Sequence, residues 1–146
     1  MSPQDLYFLF TIDDQHYAMA LSHMGSVIRA VELIRCAHPS DILLGLLNLK
    51  GEIIPVVNIR HQFHLKDSDM TLDDRIIISH SLRGTLAFIV DEIRGIAELT
   101  LKILPSAIDP FIKGTGRYNH ETILIIDVDE LLPCTWQKKG EVRNAL

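Results

Sequence analysis

Two histidines and two aspartates near the middle of the chain have the residue types of a metal site. His61 and His64 are three apart on residues 59–65, which are predicted to form a short helix, and Asp67 and Asp69 follow in a polar loop. Histidines at this spacing share a helix face and can bind a divalent ion together. Two histidines with loop acids do not make a closed ligand set. The pattern favours surface histidines, and a small metal-dependent enzyme stays as an alternative.

Other titratable groups lie close together in the sequence without forming a catalytic set. The acidic clusters at residues 91–92 and 127–130 could act as paired carboxylates. Both follow predicted strands, where acidic side chains commonly face water or cap turns. Cys36 has His38 nearby, but no third group that would orient the pair is evident. We therefore predict no catalytic residues, no bound metal and no cofactor.

The glycine-rich segment at residues 113–117 (KGTGR) has some features of a phosphate-binding loop. It lacks the Walker spacing and a following helix, so we predict a turn between two strands. The chain also contains no Gly-x-Ser-x-Gly nucleophile motif and no Gly-x-Gly-x-x-Gly dinucleotide motif after a strand. These motifs therefore give no support to an enzyme.

The composition predicts a globular domain that does not bind nucleic acid. Of 146 residues, 47% are hydrophobic and 23% are charged, and the formal net charge is −5. Phosphate binding needs clustered basic residues, but the 14 Lys and Arg are scattered among 19 Asp and Glu. No signal peptide is evident, and no apolar run approaches the roughly 18 residues of a membrane span. We expect a cytoplasmic protein that is not inserted in the membrane, with Cys36 and Cys134 as free thiols.

Turn residues between apolar runs predict two β-hairpins in the first half. Residues 7–12 and 17–21 flank Asp-Asp-Gln, and residues 43–49 and 53–59 flank Lys-Gly-Glu. Both patterns are typical of paired strands joined by a tight turn. Pro55 has no N–H to donate to a strand ladder, so we expect an edge strand or a bulge there.

Short strands with few helices continue through the second half and predict an all-β fold. Each half ends in a short predicted helix, at residues 59–65 and at residues 128–132, so two similar lobes are expected. Many short strands without long amphipathic helices are typical of small barrels or a sandwich. We predict a single domain over residues 1–146, with a core at about 6–132 and a polar tail at 133–146.

Residues 45–60 (GLLNLKGEIIPVVNIR) resemble the signature of the CheW family of chemotaxis coupling proteins. In that family a glycine precedes an Asn-Leu-Arg-Gly turn, then a strand ending in Pro-Val-hydrophobic-Asp-Leu-Arg, and a short helix with a phenylalanine, here Phe63. The segments at 75–78 and 87–93 resemble the family's second-lobe strands. Its closing segment is similar to residues 112–114 and 124–132.

The resemblance implies two intertwined five-stranded SH3-like β-barrel lobes around a shared core. It also implies a non-enzymatic adaptor in chemotaxis-like signal transduction. One surface would bind the regulatory domain of a CheA-type histidine kinase. A groove between the lobes would bind the cytoplasmic hairpin tip of a chemoreceptor, and CheW-like paralogues would be further partners. Such an adaptor would be associated with membrane receptor arrays.

Carried over position by position, the resemblance implies a receptor-facing set of seven residues. The hairpin would contribute three, a neighbouring strand two, and the second lobe the last two, which gives Gly45, Lys50, Gly51, Ile28, Ala30, Arg75 and Ile96. Purely structural roles stay open as alternatives. Gly45 and Gly51 could serve backbone geometry alone, and Lys50 could be a solvated turn residue. Ile28 and Ile96 could be core residues.

Two of these positions depart from the family pattern. The usual turn arginine is Lys50 here, and the glutamate that often pairs with it corresponds to Ala30. Lysine keeps the charge but loses the bidentate guanidinium. The alternative function is therefore an accessory CheW-like modulator of a non-flagellar array, for pilus motility or surface sensing. It would bind the kinase but couple conventional receptors poorly.

Overall fold

The computed structural model describes residues 4–36, 40–105 and 108–133. Predictions for His38, Cys134 and the rest of the tail lie outside these residues. The described part contains eleven strands and three short helices. The strands are β1 (Gln4–Ile12), β2 (Gln15–Ala20), β3 (Met24–Arg29), β4 (Leu43–Leu49), β5 (Glu52–Val57), β6 (Arg75–Ser81), β7 (Gly84–Val90), β8 (Glu92–Thr100), β9 (Lys102–Ile103), β10 (Ile112–Tyr118) and β11 (Glu121–Ile126). The helices are α1 (Ile59–Gln62) and two 3₁₀ turns, Leu21–His23 and Val128–Glu130.

These strands form two sheets, which confirms the all-β prediction. The first sheet has six strands in the order β8-β1-β2-β11-β10-β9, and the second has five in the order β3-β6-β7-β5-β4. The expected count of five holds for the second sheet, and the two-residue β9 adds a sixth strand to the first. The first sheet takes strands from both ends of the chain, so the two lobes are intertwined, as the resemblance implies.

Both predicted hairpins are present. Asp13 and Asp14 form the β1–β2 turn with positive φ angles of 51° and 65°, and Lys50 and Gly51 form the β4–β5 turn at 51° and 90°. Two consecutive positive φ angles give a turn whose twist matches that of the flanking strands. The edge-strand option for Pro55 is wrong, since β5 lies between β4 and β7. β5 pairs with β7 at a single residue pair, Val56 with Ala87. The missing N–H of Pro55 therefore removes few hydrogen bonds between these strands.

The second sheet curls because the chain after β3 returns to its far edge. Ile34 pairs with Leu46 of β4, and their backbone groups exchange hydrogen bonds of 2.7 and 2.8 Å. Gly45 makes this approach possible, since a Cβ there would lie 2.7 Å from the Ile34 carbonyl oxygen. The glycine therefore serves a close backbone contact.

Apolar side chains form one core between the sheets and a smaller one within each. The shared core joins strands from both sheets through Phe10, Tyr17 and Phe88, with Phe10 stacked on Tyr17 at 5.9 Å and against Phe88 at 5.6 Å. A second cluster lies within the first sheet and a third within the second. Each sheet thus buries apolar side chains on both faces, which confirms the predicted shared core.

Both predicted short helices are present and contact each other across the shared core. The side-chain amide of Gln62 in α1 donates a 2.8 Å hydrogen bond to the carbonyl of Leu131, just after the second 3₁₀ turn. The turn predicted at the glycine-rich segment 113–117 is wrong, because it lies within β10. Gly114 and Gly116 there let β10 lie close to Lys102 and Leu99.

Candidate protein-docking site

The apolar row that forms the shared core continues to the surface on β1 and β8. Phe8 of β1 is buried, and two residues earlier Leu6 is 48% exposed. Across the strand pair, Ile96 lies opposite Phe8 and is 57% exposed, while Glu98 lies opposite Leu6. Opposite residues of an antiparallel pair project to the same face. Leu6 and Ile96 therefore extend the core face into solvent.

A groove of about 600 Å³ opens beside these residues. Leu6 and Glu98 line it from the first sheet, and Leu21 lines it from the 3₁₀ turn that leads to β3 of the second sheet. Asp5 adds a second carboxylate to its wall. The groove is therefore lined by apolar side chains and two carboxylates, a combination typical of a surface that binds a protein segment.

Of the seven predicted receptor-facing residues, Ile96 is the one on the first sheet. Ile28 of β3 lies opposite Ile76 and packs against the core cluster within the second sheet, so its side chain is half-buried. Ala30 directly follows β3 and is also half-buried. Ile28 therefore has a packing role, whereas Ile96 presents an apolar side chain to solvent.

The hairpin residues of that set differ in exposure. Gly45 is buried at the close contact with Ile34, whereas Lys50 and Gly51 are exposed at the tip of the β4–β5 turn. The Gly51 N–H donates a 2.9 Å hydrogen bond to the side-chain oxygen of Asn48, which fixes the turn. Lys50 is thus presented to solvent by a turn of defined shape.

Arg75 begins β6, and one of its terminal N–H groups donates to the carbonyls of Asp73 and Asp74 at 3.0 Å each. β6 lies in the five-stranded sheet beside β3. The assignment of Arg75 to the same lobe as Ile96 is therefore wrong: β8 leaves the second sheet and pairs with β1, which separates the two residues.

Arg60 joins parts of both sheets through an ion-pair cluster that the sequence analysis did not identify. Its side chain is 15% exposed and contacts the carboxylates of Asp13 at 2.8 Å and Asp91 at 3.3 Å. The Arg60 guanidinium also donates to the Lys66 carbonyl, and Asp91 accepts from the Asp13 N–H at 2.8 Å. These contacts tie α1 to the β1–β2 turn and to the β7–β8 junction.

Leu6 and Glu98 were also missed by the sequence analysis. Residues 6–10 are all apolar or aromatic, and Leu6 lies on the same face of β1 as the core residues Phe8 and Phe10. The sequence therefore does not show that this face reaches solvent at Leu6. The pairing of Glu98 with Leu6 depends on contact between strands far apart in sequence. For Arg60, the available signal was a basic residue near the start of a predicted short helix.

The residues considered for metal chemistry line two different pockets. His61 and His64 line a groove with Arg83 and Glu130, whereas Asp67 and Asp69 line a separate pocket of about 260 Å³. Within residues 4–36, 40–105 and 108–133, no three His, Cys, Asp or Glu side chains come together around a possible ion. The structure therefore does not assemble the metal site proposed as an alternative.

The acidic cluster at 127–130 supports a neighbouring turn. Asp129 accepts a 2.7 Å hydrogen bond from the Leu82 N–H, and Glu130 pairs with Arg83 at 3.0 Å. Burial raises the pKa of Asp127, an effect that nearby Lys113 partly opposes. These carboxylates hold the β6–β7 turn in place, which agrees with the structural interpretation of the cluster.

Comparison with known proteins shows matches along nearly the whole chain. The model of the CheW-like domain matches residues 6–134. "Chemotaxis protein CheW" of Thermotoga maritima is 25% identical over 136 residues, covering 90% of this chain and 89% of that protein. The protein of the same name from Helicobacter pylori is 23% identical over 133 residues, covering 84% and 78%.

A solved structure has the same fold. The scaffolding protein TtCheW from Thermoanaerobacter tengcongensis superimposes with a TM-score of 0.80 at 22% identity, covering 93% of this chain and 92% of that one. Within the part of the chain that the structure describes, no helix is long and apolar enough to cross a membrane.

Proposed function

The chain belongs to the CheW family of non-enzymatic chemotaxis coupling proteins, and on that premise we propose which partners it couples. One partner is the regulatory domain of a CheA-type histidine kinase. The other is the cytoplasmic hairpin tip of a chemoreceptor, which docks in the groove beside Leu6 and Ile96. CheW-like paralogues are further partners, and the protein works in the cytoplasm at membrane receptor arrays.

The exposed continuation of the shared core carries this proposal. Leu6 and Ile96 are large apolar side chains on one face of two paired strands, beside a groove that reaches the 3₁₀ turn leading to the second sheet. A receptor hairpin tip is helical, and an amphipathic helix can place its apolar face in such a groove. The carboxylates of Asp5 and Glu98 suit basic side chains flanking that face.

Within the proposed receptor-facing set, some residues contact the receptor directly and others support the surface. Ile96 contributes apolar contact, and Lys50 with Gly51 contributes an exposed turn. Ile28, Ala30, Gly45 and Arg75 support that surface from the second sheet. Coupling requires only that receptor state changes the affinity or geometry of the kinase contact, which is a free-energy linkage between two binding sites.

A charge substitution beside the groove tests the receptor contact. Ile96→Glu places a carboxylate in the apolar patch, so we expect affinity for the receptor hairpin to fall by about tenfold or more, with kinase binding unchanged. The measurement is calorimetry of the full chain against a receptor hairpin fragment and the kinase regulatory domain from the same organism.

Leu82→Glu is the matched control, because Leu82 is 90% exposed in the β6–β7 turn. This variant should bind both partners like the wild type. The receptor assignment is contradicted by equal binding of the Ile96 variant and the wild type. Absence of a kinase complex in both calorimetry and gel filtration would contradict the adaptor role itself.

The second candidate function is the accessory modulator of a non-flagellar array, and the identities at Lys50 and Ala30 favour it. Lys50 is exposed, and Ala30 is half-buried just beyond the end of β3, so neither position forbids the family's Arg and Glu. For a modulator, the double variant Lys50→Arg, Ala30→Glu should raise receptor-dependent kinase stimulation. Equal stimulation by the double variant and the wild type would favour the coupling adaptor.

A further inference from the structure

Arg29 and Arg75 lie directly opposite each other on neighbouring strands of the second sheet. The neighbouring cross-strand pair, Ile28 with Ile76, packs in the core within that sheet. Because successive side chains of a strand alternate between faces, the two arginines project to the other face. The Val27–Ile77 pair on that face packs in the shared core. The arginines therefore lie at the rim of the contact between the sheets.

This arrangement brings two like charges together without an ion-pair partner among the described residues. Like charges directly opposite each other on antiparallel strands destabilise the pair. Among the described residues, neither arginine lies within ion-pair distance of a carboxylate, although Arg60, Arg83 and Arg94 all do. The net charge of the chain is −5, so acidic residues are not scarce.

The geometry also leaves the pair available to a ligand. Arg29 is exposed, and β3 is an outer strand of its sheet. One terminal nitrogen of Arg75 is held by the carbonyls of Asp73 and Asp74, which orients the guanidinium and leaves its other N–H groups free to donate. Opposite residues on antiparallel strands have Cβ atoms about 5 Å apart, so two arginines in these positions can both reach one carboxylate.

We propose that Arg29 and Arg75 form a docking point for a carboxylate side chain in an acidic segment of a partner protein. Carboxylate matches the planar donor pattern of guanidinium. A nucleic acid fits less well, because two arginines in a chain of net charge −5 cannot neutralise a phosphate backbone. Arg75 also belongs to the proposed receptor-facing set, but the test of this docking point uses neither the receptor nor the kinase, so the two proposals can fail separately.

The test is an NMR titration of the full chain with a glutamate-rich peptide and with the same peptide carrying Gln at every Glu. We expect the acidic peptide to shift the side-chain N–H signals of Arg29 and Arg75, with an effect that weakens as salt is added. The glutamine peptide should cause no shift there. Shifts confined to other arginines, or equal shifts with both peptides, overturn the proposal.

Charge reversal gives a second, independent measurement. Arg29→Glu replaces repulsion across the strands with attraction, so Tm should rise while the affinity for the acidic peptide falls on the order of tenfold. Arg94→Glu is the control: Arg94 lies 3.9 Å from Glu92 on β8, so reversal there should not raise Tm or weaken peptide binding. A lower Tm for Arg29→Glu, or unchanged peptide affinity, contradicts the proposal.

Discussion

Single residues in this protein carry interactions whose physical cost depends on where the chain places them. Arg60 is a mostly buried guanidinium with two carboxylate partners and a carbonyl partner, so its charge is compensated at the place where the two sheets meet. Arg29 and Arg75 have the same side chain but lie opposite each other without carboxylate partners in the described part of the chain. The same residue type thus serves cohesion in one place and recognition in another.

Asp127 gives a prediction about the pH dependence of stability. Burial raises the pKa of its carboxyl above the ordinary value of 3.8, so the folded chain holds this proton at higher pH than the unfolded chain. Stability from this group is therefore complete below 3.8 and is lost as pH rises through the raised value. Asp127→Asn should then be slightly more stable than the wild type at neutral pH.

The measurement is urea unfolding of both chains at several pH values. Asparagine keeps a side-chain oxygen at this position, so the variant can still accept a hydrogen bond from the Asp129 N–H. The stability difference should shrink as pH is lowered towards 3.8. A variant that is less stable than the wild type at neutral pH would show that the ionised carboxylate stabilises the fold.

At the scale of elements, the β4–β5 hairpin is specified locally, whereas its place in the sheet depends on a distant contact. The positive φ angles at Lys50 and Gly51 and the Asn48 side-chain hydrogen bond all lie within the turn. Gly45, by contrast, is required by Ile34, which returns to the edge of β4 from the end of β3. The residues of the turn determine the shape of the hairpin, whereas the path of the chain after β3 determines the place of the hairpin in the sheet.

Gly45→Ala should loosen the edge of the second sheet. Its Cβ would lie 2.7 Å from the Ile34 carbonyl oxygen, so the backbone must shift, at a cost of about 1–3 kcal/mol. The Leu46 N–H, which donates to that oxygen, should exchange with deuterium faster than in the wild type.

Gly51→Ala is the comparison variant, because open space surrounds its added Cβ but its φ is +90°. We expect a loss of about 1 kcal/mol from backbone strain, without faster exchange at Leu46. Equal exchange rates at Leu46 in the Gly45 variant and the wild type would show that the Ile34 contact does not close the sheet.

The sequence predicted individual strands and helices better than it predicted which strands pair in the sheets. Both early hairpins and the short helix at α1 follow from turn residues and apolar spacing within a few positions. The pairings of β1 with β8 and of β2 with β11 join residues about a hundred positions apart, and no local pattern encodes them. The family resemblance implied Ile96, but its neighbours Leu6 and Glu98 were not proposed, because no local pattern shows that they lie beside it.

At the scale of the molecule, the shared core makes the two sheets depend on each other. Phe10 of the first sheet packs against Phe88 of the second and stacks on Tyr17, which in turn stacks on Phe63 beyond α1 at 5.2 Å. The proposed single domain over residues 1–146, with its core at about 6–132, requires that neither sheet keeps its structure after this contact is lost. The two sheets should therefore unfold in one transition.

Phe10→Ala should destabilise the chain by about 3–5 kcal/mol, because it removes a fully buried ring from the shared core. Amide exchange should accelerate in both sheets together, in β6 and β7 as much as in β1 and β2. Ala97→Gly in the cluster within the first sheet is the control for a smaller and separate core. Protection retained by one sheet in the Phe10 variant would contradict a single domain.

The first sheet also constrains how the chain can fold as it is synthesised. Strands β1 and β2 leave the ribosome before β11. Because β2 pairs with β11 at residues 124–125, about a hundred further residues must be translated before this pairing can form. At roughly 5–20 residues per second this delay lasts about 5–20 s. During that interval the opening hairpin exposes Phe8, Phe10 and Tyr17, which are later buried. We therefore expect the nascent chain to offer an apolar, chaperone-binding segment at β1 and β2 until β11 has been made.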